Sequence, residues 1–193
     1  MKEQFETLDE AEIVKRAKDG DEKAFEMIIK KYQNRVANLI FKIIGDSSVV
    51  EDLTQDVFLR VIESLRDYKF GSALYTWIYR ITVNICIDEI RKRQRSRTYS
   101  LSDVLNQNPK VEPAHSPVEK TVERKELREI IENAISKLPL EYKTAIILRE
   151  FEDLPYEEIA KILKVSVGTV KSRIFRARKL LAEHLKEYRE ILK

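Results

Sequence analysis

These 193 residues are expected to form an all-α protein of two small helical domains on a flexible linker. Three observations support this. There are only 4 Gly and 5 Pro, too few for the many turns of a β-sandwich. Apolar residues recur at helical spacing among Glu, Lys, Leu, Ile, Arg and Ala, residues that fit helices well. One segment, residues 96–122, breaks that period with Pro109, Pro113 and Pro117. It separates a domain at 1–95 from one at 123–193. Three prolines within nine residues stiffen it locally.

The elements follow in order. Glu10 to Asp19 reads as a helix. Asp21 is placed to cap the next, in which Phe25, Ile28, Ile29, Tyr32, Val36, Leu39, Ile40 and Ile43 repeat every 3–4 residues. Gly45 ends it. Ser47 or Ser48 caps a third helix that reaches Leu65. A short loop from Asp67 to Ser72 carries Tyr68, Phe70 and Gly71, and a long helix spans Ala73 to Arg93. Beyond the linker, helices are expected over Val118–Lys137, Pro139–Phe151, 155–163 and 167–187.

Composition excludes several function classes. A single Cys86 forms no intramolecular disulfide and supplies no thiolate cluster. The two histidines, His115 and His184, are far apart, so no zinc site is expected. No run of 18 apolar residues exists to insert into a membrane, and Met1 to Asp21 lacks an apolar signal core. No Gly-rich phosphate loop and no Ser/His/Asp arrangement is visible, so neither an enzyme nor a cofactor is expected. The chain reads as soluble and cytoplasmic.

Charge is unevenly placed. The whole chain carries +3, but residues 159–193 hold ten Lys/Arg against three Asp/Glu, net +7. A second basic knot is Arg91, Lys92, Arg93, Arg95 and Arg97. Two such patches suit polyanion contact at two places, or plain solvated helix faces; what the cations sit on decides.

In the C-terminal part they sit on a helix-turn-helix pattern. Leu154 to Leu163 is a short helix with Pro155 in its first turn, where a missing N–H costs nothing. Lys164-Val165-Ser166 is the turn, and Ser166 caps the next helix. At 100° per residue, Val170, Ile174, Ala177 and Leu181 face inward. Thr169, Ser172, Phe175, Arg176 and Lys179 face outward, flanked by Lys171, Arg173 and Arg178. Arg grips a guanine edge bidentately, and an aromatic ring touches a thymine methyl. This second helix is expected to enter a major groove.

The long helix is less one-sided. Leu74, Ile78, Ile81 and Ile85 make one apolar stripe; Val83, Ile87 and Ile90 make another. A third strip carries Trp77, Arg80, Asn84 and Arg91. Aromatic platforms, an amide that both donates and accepts, and phosphate-holding cations suit single-stranded DNA. The same residues equally fit a half-buried bundle helix with Trp77 in the core.

Together these motifs resemble the extracytoplasmic-function (group 4) sigma factors of bacterial RNA polymerase, along nearly the whole chain. Glu51-Asp52-Leu53-Thr54-Gln55-Asp56-Val57-Phe58-Leu59-Arg60-Val61 is similar to the family's polymerase-binding helix. Leu74 to Asn84, continuing through Asp88 to Arg93, resembles the −10 reading and melting segment. Val167 to Arg178 resembles the −35 reading helix. The resemblance implies that Asp52, Gln55, Asp56, Phe58 and Leu59 dock on the polymerase clamp helices. It implies that Asn84, with the loop around Phe70 and Gly71, holds a base flipped from the −10 non-template strand. Thr169, Lys171, Ser172, Phe175 and Arg176 would read −35 duplex, with Arg173 and Lys179 beside them. The helix around Ile146, Ile147 and Leu148 would lie near the polymerase flap. Further expected partners are promoter DNA and an anti-sigma factor clasping both domains, which could hold the chain at the inner membrane face; the free chain would be a monomer. One departure stands out: Lys164 occupies a turn position where the family usually has Gly.

DNA elements about 17 base pairs apart lie roughly 58 Å apart at 3.4 Å per pair. A 27-residue linker reaches about 90 Å extended but relaxes to about 29 Å as a coil. It spans the gap without fixing it, so a scaffold is expected to set the spacing. The competing reading is a stand-alone helix-turn-helix regulator with an N-terminal partner or ligand domain. Such a regulator usually dimerises on two half-sites, and no dimer seam is apparent.

Overall fold

The computed structural model describes residues 9–100 and 122–188. Eight α-helices appear among them: α1 (Glu10–Lys18), α2 (Glu22–Ile44), α3 (Val50–Ser64), α4 (Leu74–Ser100), α5 (Val122–Ser136), α6 (Leu140–Glu150), α7 (Tyr156–Leu163) and α8 (Val167–His184). The proline-bearing stretch between α4 and α5 lies outside the described residues.

Most boundaries have a local cause. The Asp21 carboxylate accepts from the N–H groups of Lys23 and Ala24 and starts α2. Gly45, at φ 78°, closes it in the left-handed region. The expected serine cap of α3 is corrected. Asp46 accepts from the Ser48 N–H at 3.0 Å and the Ser48 hydroxyl at 2.7 Å, heading a 3₁₀ turn (Ser47–Val49) that runs into α3. Asp46 also binds Arg93 of α4 at 2.9 Å, tying this cap to the long helix. α4 continues past the expected Arg93 to Ser100, since no Pro or Gly interrupts it before then.

Helices α1–α4 form one bundle, in which α2 packs on α1, α3 and α4. Val36, Leu39, Ile40, Ile43, Val57, Val61 and Ile78 are its fully buried centre. Helices α5–α8 form a second bundle, in which α8 packs on α5, α6 and α7. The two bundles also touch: α4 packs on α7 and α2 on α6, so one apolar core runs through both.

Polar bonds fasten that seam. The Thr76 hydroxyl of α4 donates to Glu158 of α7 at 2.6 Å. The Tyr79 hydroxyl donates to Glu152 at 2.6 Å, and Lys42 of α2 binds the same carboxylate at 3.3 Å. Thr76, Tyr79, Val83 and Cys86 are all buried, at spacings of three, four and three residues on one side of α4. Val83 of the second apolar stripe shares this side, whereas Ile87 and Ile90 further along are half-buried.

Candidate nucleic-acid interface

The turn before α8 keeps the backbone that a glycine would give. Lys164 adopts φ 53°, ψ 46°, and the Val165 N–H reaches back to the Ala160 carbonyl at 3.1 Å. A Lys in this region costs about 1–2 kcal/mol, offset by buried Ile159, Ile162 and Val170 on either side. The Ser166 hydroxyl accepts from the Thr169 N–H at 3.0 Å and starts α8, as expected. Val170, Ile174 and Ala177 are buried, whereas Leu181 at the end is half-buried.

Opposite them, Phe175 is 70% exposed. Lys171, Ser172, Arg176 and Lys179 are exposed around it, with Thr169 and Arg173 half-buried. The arginines are held in place across α6. Arg173 pairs with Glu141 at 3.2 Å, Arg178 pairs with Glu150 at 2.6 Å, and Arg176 donates to the Tyr142 hydroxyl at 3.1 Å. The bonds to Tyr142 and Glu150 raise the basicity of Arg176 and Arg178 respectively. Lys171 and Lys179 have no ion pair among the described residues, so the face keeps two uncommitted cations beside an exposed ring.

The loop before α4 builds a second surface. Phe70 is half exposed in a left-handed conformation at φ 53°, and Gly71 follows it. Its ring lies 5.0 Å from Tyr68, whose other neighbour is Trp77 at 5.2 Å. The Tyr68 hydroxyl donates to the Ser72 carbonyl at 2.5 Å, and Lys18 donates to the Tyr68 carbonyl. Trp77 is 8% exposed; it props this aromatic stack rather than facing solvent as a platform. Of the other residues on its strip, Asn84 and Arg91 are exposed and Arg80 is half-buried.

A third surface lies on α3. Asp52, Gln55, Asp56 and Leu59 are exposed on one side, while Phe58 is 6% exposed and belongs to the core. Ile62 continues the exposed side at 50%, next to Leu59 at 58%. The sequence reading missed Ile62, although its spacing of three from Leu59 was the available signal. Two exposed aliphatics flanked by acids make a small mixed apolar and acidic surface. Ile146, Ile147 and Leu148 are buried in α6. Glu152, Thr76 and Glu158, which close the seam with Tyr79, were also missed; each looks like an ordinary polar residue until the bundles meet.

Several groups titrate away from their usual range. Hydrogen bonds from Lys161, then Thr76, hold the Glu158 carboxyl below its ordinary value. Burial pushes the Cys86 thiol up to about 12 despite nearby Lys143, leaving it an unreactive thiol. Burial, then Glu152, raises Tyr79 and keeps its hydroxyl a donor. No cluster of metal-ligating residues occurs among the described residues. No described helix is long and apolar enough to cross a membrane.

Comparison with known proteins matches the chain to a family. Residues 28–96 match the Sigma-70 region 2 family, and residues 128–181 match Sigma-70, region 4. The chain is 34% identical over 179 residues to the RNA polymerase sigma-H factor of Pseudomonas aeruginosa, covering 90% of this chain and 92% of that one. It is 36% identical over 183 residues to the ECF RNA polymerase sigma-E factor of Haemophilus influenzae, covering 91% and 95%. Its fold is similar to the sigma factor RpoE of Bartonella quintana, solved with the anti-sigma factor NepR. The TM-score is 0.69 at 26% identity, covering 85% of this chain and 98% of that one. A two-bundle helical chain matched over nine-tenths of its length, with both family regions in order, belongs to the extracytoplasmic-function sigma factors, regulatory factors of transcription rather than enzymes.

Proposed function

We propose that this chain binds core RNA polymerase and directs initiation at specific promoters, with a division of labour between its bundles. The first bundle holds the polymerase and captures the melted −10 strand, the segment between α4 and α5 tethers, and the second bundle reads the −35 duplex. The observation that carries the reading is α8: a capped helix with a buried inner face and Phe175 standing exposed among cations. Phe175 stands 70% exposed between the exposed cations Lys171, Arg176 and Lys179. In a major groove it finds an apolar partner on thymine.

Asn84 and Arg91, exposed on α4, and Phe70 with Gly71 in the loop before it suit an unpaired base and its phosphates. Arg80 supports them from its half-buried position. Trp77 acts by holding Tyr68 and hence Phe70. Asp52, Gln55, Asp56 and Leu59 of α3 dock on the polymerase clamp helices, with Phe58 shaping that helix from beneath. The α6 end of the second bundle lies toward the flap.

The bundles touch in the free chain, whereas promoter elements about 17 base pairs apart are roughly 58 Å apart. The seam therefore opens when both are engaged, and the polymerase sets the new spacing. An anti-sigma partner acts on this balance; the fold's likeness to a sigma factor solved with one supports that reading. In vitro transcription with core enzyme on a promoter library tests the proposal. Initiation at one defined promoter class is expected. Failure to direct any start, or tight promoter binding by a dimer of the chain alone, would overturn it.

A further inference from the structure

Beside the seam, α2, α5 and α6 enclose a cleft of about 730 Å³, within the range of roughly 300–1,000 Å³ typical of small-ligand sites. Its walls are mainly apolar: Phe41 from α2, Ile131 and Ile135 from α5, Ile147 from α6 and Phe151 just after it. Lys143 of α6 lines it, at 8% exposure. The Lys143 backbone N–H donates to the Pro139 carbonyl at 2.9 Å, but its side chain has no hydrogen bond and no ion pair among the described residues. Its ammonium is not sealed from solvent, and it lies near the buried Cys86 thiol of α4 at the wall of the cleft that Lys143 lines. The other cations of the cleft are committed: Lys42 to Glu152 at 3.3 Å and Arg128 to Glu132 at 2.7 Å. Glu129 is exposed on α5.

A lone ammonium in an apolar cleft is costly, and burial lowers its basicity. An anionic head removes that cost and an apolar tail fills the walls. We infer that this cleft binds a small apolar molecule with a carboxylate head, the head paired with Lys143. Because α2 belongs to one bundle and α5 and α6 to the other, such a ligand binds the closed chain and not the parted one. It therefore holds the protein shut by mass action. This consequence rests on the opening described under Proposed function; the binding itself does not.

Isothermal titration of the full chain with octanoate tests the site, without polymerase or promoter. Saturable one-to-one binding is expected, at least tenfold weaker for Lys143→Met and at least tenfold weaker for 1-octanol on the unaltered chain. Phe151→Ala, at an exposed wall, is a second variant that keeps the fold and also weakens binding. No saturable binding overturns the site, as does equal binding by Lys143→Met or by 1-octanol. Uptake of an acidic amphipathic peptide with no uptake of octanoate assigns the cleft to a protein partner and also overturns it. Octanoate at ten times its Kd is expected to slow Cys86 alkylation about tenfold. Binding with unchanged alkylation overturns the link to closure and leaves the promoter reading untouched.

Discussion

Two residues show how local cost is accepted for geometry. Lys164 sits at φ 53° where a side chain costs about 1–2 kcal/mol. Glycine removes that strain but loses about 0.5–1 kcal/mol of backbone entropy on folding. The balance favours glycine slightly. Lys164→Gly is expected to raise stability by about 0.5 kcal/mol in urea denaturation, whereas the β-branched Lys164→Val lowers it. Phe175 is the opposite case, an exposed ring with no internal partner. Phe175→Ala is expected to leave the melting temperature unchanged and to cut −35 binding about tenfold, read by fluorescence anisotropy on duplex DNA.

Among the elements, α3 and α4 each present two different faces. On α3 the inner face carries Leu53, Val57, Phe58 and Val61, and the outer one Leu59 and Ile62 between acids. Ile62→Asp is expected to weaken association with core polymerase at least tenfold in a pull-down while leaving helical content intact. On α4 the seam face is held by Thr76 and Tyr79 against Glu158 and Glu152. A hydrogen bond to a charged group contributes about 1.5 kcal/mol or more. Tyr79→Phe is thus expected to open the seam about tenfold more often. Glu158 adds a pH dependence with a definite sign. Its carboxyl is held below the ordinary 4.5 by Lys161 and then Thr76. That contribution is complete at neutral pH and lost as pH falls below about 4.5 through the depressed value. Acidification should therefore increase the scattering radius of gyration, and Glu158→Gln should blunt the acid-dependent change.

At the scale of the whole molecule, two bundles share one core, although the proposed promoter contacts would require them apart. Cys86 reports on this. It is fully buried on α4, near Lys143 of α6, with its thiol pushed up to about 12. Alkylation by iodoacetamide is expected to be slow in the free chain and to accelerate when core polymerase and promoter are added. An unchanged rate would contradict separation of the bundles.

Helix periods, the Asp21, Ser166 and Gly45 boundaries, the inward face of α8 and its exposed Phe175 were all legible in the sequence. Each depends on residues within a few positions of one another, and 3.6-residue geometry places those without further information. The serine cap expected for α3 failed because Asp46, one residue earlier, also had Arg93 of a distant helix to bind. Trp77 and Phe58 went inside because Tyr68 and the bundle core offered them apolar partners. The seam, the Tyr79–Glu152 bond and the Lys143 cleft depended on where α6 and α7 came to rest against α2 and α4. Periodicity says that a helix has a second apolar stripe; only packing between distant segments decides what covers it.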